Sequence, residues 1–305
     1  MRWTHKARIQ RLCARLPGGD QLYYQIQRRL GGLSGEPDPS RALRECALMV
    51  RELNESGHPV ADARVLEVGT GRFIEVPLGF YLAGAASTMT VDLHRYLRAD
   101  LVMASIRAMR SRLQFLLETF QPISSAGLDR RLAQLLACQS LAEILELARI
   151  SYIAPADARC LPVEARSIDI HTSFTVFEHI PRASLIDILK EAARVLAPEG
   201  VALHRIDISD HYAHDDQSIA LINFLQFSQA EWDLLADNRF AYHNRLRLQD
   251  YRDIYREAGH QILDWTERRD QRSTELLRAG FVLDPAFEAH PRKDLEVVGI
   301  RVISR

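Results

Sequence analysis

The sequence lacks several features that would define a protein class at once. It has no uninterrupted apolar run of about 18 residues, the length that a membrane-spanning helix requires. Its four cysteines, Cys13, Cys46, Cys138 and Cys160, are far apart, which argues against a zinc knuckle or a disulfide framework. The formal net charge of -1 gives no general attraction to nucleic acid. Because Met1 leads into a mixed basic segment rather than a signal sequence, we expect a cytoplasmic protein that binds neither membrane nor nucleic acid.

What is present is the composition of an ordinary globular enzyme, with 47% hydrophobic and 26% charged residues. A chain of 305 residues is long enough for one main domain with helical additions. Apolar residues at helical spacing predict two amphipathic helices between residues 9 and 30 and a third over residues 42–55. We therefore expect an N-terminal helical extension over residues 1–60 and a main domain over residues 61–305.

The main domain alternates short apolar strands with helical segments. This rhythm predicts an α/β fold with a doubly wound, Rossmann-like, mostly parallel sheet of seven strands, and helices on both faces. The predicted strands lie at residues 64–68, 88–92, 151–154, 168–172, 200–207, 261–267 and 295–303.

A long helical insertion interrupts this rhythm over about residues 98–150. Apolar residues form one helical stripe between residues 106 and 120 and another between residues 132 and 145. Such an insertion is compatible with a lid, with the interface of a homodimer, or with a helical pair that only packs on the domain.

The most informative segment is a short apolar strand that runs into a glycine turn, at residues 63–71. Asp92 follows the next predicted strand in the same way. In a parallel sheet, glycines at a strand-to-helix turn let the backbone approach a ligand, and an acidic group at the end of the next strand can accept hydrogen bonds from both ribose hydroxyls. The pair therefore predicts a nucleoside-cofactor pocket.

At this point the chain resembles the class I S-adenosylmethionine-dependent methyltransferases. The resemblance covers roughly residues 60–208 and rests on five landmarks in the family's order. They are the glycine turn at 65–71, the acidic strand end at 91–93, the turn at 156–158 with its Leu-Pro pair at 161–162, the segment 167–180, and the helix and turn at 189–200.

The resemblance implies S-adenosylmethionine as the cofactor and assigns its contacts by position. Glu67 would hold the ammonium, Asp92 the ribose diol and Asp157 the adenine amino group. The complete implied cofactor set is Glu67, Gly69, Thr70, Gly71, Asp92, Leu93, Asp157, Ala158 and Ser173.

One departure from the family pattern lies in the glycine turn. Phe73, preceded by Arg72, occupies the place where many members have a third glycine. This argues against a nicotinamide dehydrogenase, and it gives some support to a non-catalytic relative that uses the fold only for binding.

Three histidines are the candidates for acid-base chemistry. His179 follows the predicted fourth strand, and packing or helix capping is the stronger alternative for it. His211 and His214 follow the fifth strand, at the edge where substrates of open α/β sheets bind. For these two we prefer substrate binding or general-base catalysis, then a solvated loop, and last a divalent metal site completed by Asp215. No metal is included in the prediction.

The predicted function is methyl transfer to an oxygen or nitrogen of a small metabolite or sugar. Residues 204–247 resemble a bacterial group of methyltransferases that is associated with polysaccharide and secondary-metabolite pathways. A second possibility keeps the cofactor but uses its aminobutyl arm for cyclisation or elimination, which releases methylthioadenosine. A non-catalytic binding protein is the third, and a nucleic-acid methyltransferase is a weaker fourth.

Overall fold

The computed structural model of the protein describes residues 1–31, 33–124, 127–236 and 238–305. Within these residues the chain forms one sheet of seven strands. The strands are β1 (Arg64–Val68), β2 (Ser87–Val91), β3 (Ile150–Ile153), β4 (Ile168–Phe174), β5 (Leu196–Ile206), β6 (Ile262–Arg269) and β7 (Val297–Ser304).

The strand order confirms the predicted doubly wound sheet. The order is β3-β2-β1-β4-β5-β7-β6, and the first five of these strands are parallel. β7 lies antiparallel between β5 and β6. The order reverses direction between β1 and β4, and ligands of open α/β sheets bind at such a switch point, outside the carboxyl ends of the strands.

Fourteen α-helices surround the sheet in the described part of the chain. None of them is long and apolar enough to cross a bilayer. The helices are α1 (Trp3–Arg15), α2 (Gly19–Leu30), α3 (Ser40–Glu55), α4 (Glu75–Ala83), α5 (Ala99–Arg110), α6 (Leu113–Phe120), α7 (Leu128–Ala137), α8 (Leu141–Leu147), α9 (Arg182–Val195), α10 (Gln229–Leu235), α11 (Leu248–Glu257), α12 (Gln271–Arg278), α13 (Pro285–Glu288) and α14 (Arg292–Leu295).

Both faces of the sheet are buried, as its apolar strands predict. On one face, Val65 and Ile170 share a core with residues of α3 and α4. On the other face, Leu66 and Ala202 pack with Val195 at the end of α9. Alternate residues of one strand thus serve two different cores.

The insertion consists of α5 to α8 and packs on the outside of α4. Its buried residues, among them Ile106, Phe120 and Leu132, share one core with Leu78 and Leu82 of α4. No described residue between 99 and 150 lines the main cavity at the carboxyl edge. The insertion thus packs on the domain away from this cavity, and a role as a lid or as the interface of a homodimer stays a prediction.

The first two helices, α1 and α2, cover the carboxyl edge of the sheet. The ring of Trp3 in α1 lies 5.5 Å from that of Tyr212 and 5.9 Å from that of Phe227, measured between centroids. The backbone N–H of Trp3 donates to Asp216 over 2.8 Å. Contacts more than 200 residues apart in sequence therefore bring the N-terminal helices over the site.

Candidate functional site

A cavity of about 1040 Å³ lies at the switch point, outside the carboxyl ends of β1 and β4. Small-molecule sites commonly measure about 300 to 1,000 Å³, so this one has room for a nucleoside cofactor and part of a second molecule. Its walls come from the glycine turn, from the loops after β2 and β4, and from α2. Among the residues that line it are Tyr23, Tyr24, Gln27, Glu67, Gly69, Thr70, Gly71, Arg72, Asp92, Leu93, Asp157, Ala158, Val176, His179 and Phe240.

The glycine turn requires glycine at two positions, for different reasons. Gly69 has a φ of 94°, and a Cβ there would lie 2.3 Å from the side chain of Val176, which follows β4. Gly71 has a φ of 66°, and a Cβ there would meet nothing within 4 Å. The first glycine lets two neighbouring strand ends approach closely, and the second leaves open space on the cavity side.

Glu67 brings a buried carboxyl group to the wall of this cavity. It is 4% exposed, and its Oε2 accepts a hydrogen bond of 2.5 Å from the Thr90 hydroxyl. Because Thr90 gives its hydrogen to Glu67, Thr70 is the donor in the 2.6 Å bond between the two threonine hydroxyls. Burial raises the pKa of Glu67 to about 8, and nearby Asp92 adds to the effect. A cation beside Glu67 would favour the ionised carboxylate over the protonated form, and the ammonium of S-adenosylmethionine is such a cation.

Asp92 is held by the backbone on both sides. Its Oδ2 accepts from Gly71 N over 2.8 Å, and its Oδ1 accepts from His94 N over 3.0 Å. Burial raises the pKa of Asp92, and these two hydrogen bonds lower it. Each oxygen retains a lone pair, so the carboxylate can accept from two hydroxyls without turning.

The adenine side of the predicted site is more exposed. Asp157 and Ala158 line the cavity, and so does Leu93, which is 60% exposed. The Arg159 side chain donates to both oxygens of Asp157, and this contact holds the pKa of Asp157 below its usual value. An adenine amino group would therefore share Asp157 with an arginine.

Ser173 departs from its predicted place. Its side chain is buried within β4 and does not line the cavity, whereas the next three residues of the chain, 174–176, do. Alternate residues of a strand point to opposite faces, and the side chain of Ser173 is directed into the sheet packing. Direct contact of this hydroxyl with the cofactor stays a prediction, which its buried position does not favour.

His179 and His211 meet beside the cofactor cavity. Their ring centroids are 4.9 Å apart. The Nδ1–H of His179 donates to Tyr242 O over 2.7 Å, since a carbonyl can only accept, and this leaves the Nε2 lone pair of the neutral ring free. His179 lines both the main cavity and a second cavity of about 230 Å³, which His211 also lines. Burial lowers the pKa of His211 to about 3.

His214 is turned away from both cavities. Its ring stacks on that of His211, with 5.1 Å between centroids. Its Nε2 donates to the Ser209 hydroxyl over 3.1 Å, and that hydroxyl donates to Asp207. Asp215 pairs with Lys6. The metal set of His211, His214 and Asp215 considered from the sequence is therefore not assembled.

Several residues of the site were not found from the sequence. Tyr24 and Gln27 of α2 line the cavity, and Arg72 connects them to the glycine turn. The Arg72 guanidinium donates to Gln27 over 2.6 Å and lies 5.2 Å from the Tyr24 ring. Arg72, beside the missing third glycine, was the sequence feature that could have indicated such contacts, because a cation in a cofactor turn needs a partner. His243, whose ring lies 5.0 Å from that of His211, gave no such signal.

The family model described as Methyltransferase domain matches residues 111–204. This range includes Asp157, Ala158 and His179, whereas the glycine turn and Asp92 precede it. No curated protein matches the chain.

Solved structures of two methyltransferases are similar in fold. One is a provisionally named sarcosine dimethylglycine methyltransferase from Galdieria sulphuraria, 18% identical, which covers 94% of this chain and 97% of its own, with a TM-score of 0.48. The other is an S-adenosylmethionine-dependent methyltransferase from Clostridium acetobutylicum, 12% identical, which covers 94% of this chain and 98% of its own, with a TM-score of 0.47.

The family match, the strand order and the glycine turn agree with one another. The open space at Gly71 and the buried carboxyl of Glu67 fit an adenosyl cofactor that carries an ammonium group. Residues 111–204 match the methyltransferase-domain family, and together with the strand order and the glycine turn this match makes the chain an enzyme with S-adenosylmethionine as its cofactor.

Proposed function

We propose that the protein methylates an oxygen or nitrogen of a small hydroxylated or amine-bearing molecule, such as a metabolite or sugar. The observation that carries this proposal is the pairing of two cavities. The larger one has room for the cofactor, and the smaller one, of about 230 Å³, shares Tyr23, Gln27, His179 and Phe240 with it as a common wall. An acceptor in the smaller cavity would face the cofactor across this wall.

In this proposal, Glu67 and Asp92 hold the two polar ends of the cofactor, and Gly69 and Gly71 form the turn on which it rests. Thr70 fixes Glu67 through Thr90. Leu93, Asp157 and Ala158 border the adenine. When bound, the cofactor supplies a methyl group already activated by its sulfonium, so the protein's main task is to place the acceptor.

His179 and His211 are proposed to receive the acceptor. An alcohol or ammonium acceptor must lose a proton before or during methylation. The free Nε2 of His179 is a suitable recipient, because the Tyr242 carbonyl fixes the tautomer that leaves this nitrogen unprotonated. Partial desolvation at the cavity wall lowers the pKa of His179, although its side chain is exposed to the cavity. His214 lines neither cavity and is not included in this proposal.

The walls of the smaller cavity favour a small, partly apolar acceptor. Phe224, Trp232 and Phe240 supply aromatic surface, and Asp210 and Gln10 supply polar atoms. Aromatic rings beside a few polar groups suit a sugar or a ring-containing metabolite. A role in polysaccharide or secondary-metabolite biosynthesis in the cytoplasm agrees with this chemistry, and the three buried, unpaired thiols suit a reducing compartment.

Product analysis tests the reaction class. The purified full chain is incubated with methyl-labelled S-adenosylmethionine and, in turn, glucose, glucosamine and catechol as probe acceptors. We expect S-adenosylhomocysteine and labelled acceptor in equal amounts with at least one probe, and a rate that falls at least about tenfold in His179→Gln. Release of methylthioadenosine would instead favour chemistry on the aminobutyl arm. Cofactor binding with label transferred only to macromolecules would contradict the small-molecule acceptor.

A further inference from the structure

A group of three potential metal ligands lies in the wall between the two cavities. Glu178, His179 and His211 each place one ligand atom within 4.8 Å of the others. The Glu178 carboxylate and the Nε2 of His211 are 3.8 Å apart. Residues 178–179 follow β4 and His211 follows β5, so the two neighbouring parallel strands bring the three side chains to the same edge.

Glu178 is the unusual member of this group. It is fully buried, and neither of its carboxylate oxygens makes a hydrogen bond of normal geometry with a described residue, although burial raises its pKa less than it otherwise would because backbone groups of Glu178 and Asp207 lie nearby. A buried carboxyl group without partners costs several kcal/mol, so such groups are normally paired or bound to metal. No described lysine or arginine forms a salt bridge with Glu178, and the nearest basic atom is the Nε2 of His211.

Each of the two histidines has a ring nitrogen with an available lone pair. The Nε2 of His211 is buried and has no hydrogen-bond partner among the described residues. The Nδ1–H of His179 donates to the Tyr242 carbonyl, which orients the ring and leaves Nε2 with its lone pair. Metal-binding histidines characteristically donate their second ring N–H to a carbonyl or carboxylate in this way.

His243 lies nearby but has a different role. Its Nδ1 accepts a hydrogen bond from the backbone N–H of Arg245 over 3.2 Å, so a neutral His243 carries its proton on Nε2. It therefore offers no lone pair to a cation, although its ring borders that of His211. His243 is therefore a supporting residue, whereas His179 and His211 are the candidate ligands.

We propose that Glu178, His179 and His211 bind one divalent transition-metal ion, with Zn²⁺ as the reference ion. Two imidazoles and one carboxylate are a common ligand set for catalytic zinc and for non-haem iron, and both keep positions open for a further ligand. Ligands about 2.0 to 2.2 Å from zinc in a tetrahedral site lie about 3.3 to 3.6 Å apart, so the longest separation within the group would shorten by up to about 1.5 Å on binding.

The open side of this ion would face the smaller cavity, which His179 and His211 line. A hydroxyl or amine of the acceptor could then coordinate at the wall shared with the cofactor cavity. With the ion bound, the imidazoles hold the acceptor through the metal rather than by accepting its proton directly. This role in acceptor binding rests on the proposed function, whereas the metal site itself does not.

Zinc titration calorimetry on the full chain, freed of metal with a chelator, tests the site. We expect binding of one Zn²⁺ per chain, weakened at least about tenfold in Glu178→Gln and in His211→Ala. The matched control is His214→Ala, which removes the imidazole stacked on His211 but no ligand, and it should change the affinity by no more than about twofold. Absence of zinc binding, or equal affinity in wild type and Glu178→Gln, would overturn the proposal.

A second measurement uses only the wild-type protein, so its result does not depend on whether the variants fold. Wild-type protein titrated with Co²⁺ should develop the intense visible absorption of a low-coordinate nitrogen and oxygen site, and Zn²⁺ should abolish it. A spectrum identical to that of aqueous Co²⁺ would also overturn the proposal. S-adenosylmethionine binding, measured in parallel, tells the two hypotheses apart: a chain that binds the cofactor but no metal leaves the proposed function standing.

Discussion

At the scale of single residues, the cofactor site depends on carboxylates that the backbone holds in place. Asp92 accepts from Gly71 N and from His94 N, so its position is fixed by two different loops. The first of these bonds also fixes the glycine turn on which the cofactor would rest. Such prior ordering reduces the entropy lost on binding, and it makes Asp92 a sensitive position for substitution.

We expect Asp92→Ala to weaken S-adenosylmethionine binding by about tenfold or more. A lost hydrogen bond to a charged group is worth about 1.5 to 3 kcal/mol, and each 1.4 kcal/mol changes affinity about tenfold. Calorimetry with S-adenosylmethionine and with S-adenosylhomocysteine measures the loss, which should be similar for both because they share the ribose.

The control for this experiment is Ser173→Ala. Ser173 belongs to the set implied by the family resemblance, yet its buried hydroxyl does not line the cavity and lacks a hydrogen-bond partner among the described residues. The substitution should leave cofactor affinity within about twofold of wild type. Undiminished affinity in Asp92→Ala would remove the ribose assignment, and a large loss in Ser173→Ala would restore the contact that the structure disfavours.

At the scale of elements, the sheet was predictable and the arrangement around the site was only partly so. Each strand was placed within a few residues because apolar runs bounded by turns are local signals. β5 begins earlier than predicted, at Leu196, because Leu196 pairs with Ile168 and the expected Pro-Glu-Gly turn lies within the strand.

The covering of the site by α2 was not predictable in the same way. Its amphipathic pattern predicted a helix, but a pattern does not state which surface a helix covers. That surface is set by contacts such as Trp3 with Tyr212 and Arg72 with Gln27, which join distant parts of the chain. The sequence named His179 and His211 but did not predict that they meet, or that Glu178 and His243 lie beside them, since these residues come from separate loops.

The docking of α1 and α2 should depend on Trp3. Its ring contacts Tyr212, Phe227 and Trp232, and burying an aromatic side chain of this kind contributes about 1.5 to 3 kcal/mol. We expect Trp3→Ala to raise amide hydrogen exchange across α1 and α2 by about tenfold or more, while the sheet is unaffected. Hydrogen exchange followed by mass spectrometry resolves the two regions.

Leu12→Ala is the matched control on the same helix. Leu12 is 62% exposed, so its loss should change exchange in α1 by no more than about twofold. Equal exchange in wild type and Trp3→Ala would show that other contacts, such as the Arg239 and Asp20 pair, hold the helices over the site.

At the scale of the whole molecule, the site contains buried carboxyl groups that lower the stability of the folded protein, and other parts of the fold must offset this loss. Burial raises the pKa of Glu67 to about 8 and that of Glu75 to about 7. Both lie at the cofactor cavity. Large apolar cores on both faces of the sheet provide the stability that these groups reduce, as is common where a site is built for binding rather than for stability.

The ionisation of Glu67 should make the free energy of unfolding depend on pH. Near neutral pH the folded protein keeps the proton of Glu67, whereas the unfolded chain, with the ordinary pKa of 4.5, has released it. The free energy of unfolding therefore falls as pH rises toward and through 8, and this group contributes a fall of about 1 kcal/mol between pH 7 and 8. Asp92, Glu75 and Thr90 face the same carboxyl, and the two acids act in the direction that raises its pKa.

Urea unfolding of Glu67→Gln should show a free energy of unfolding that depends less steeply on pH between pH 7 and 8. The control variant Glu199→Gln, on an exposed residue, should follow wild type. Identical slopes for wild type and Glu67→Gln would mean that Glu67 is already ionised in the folded protein.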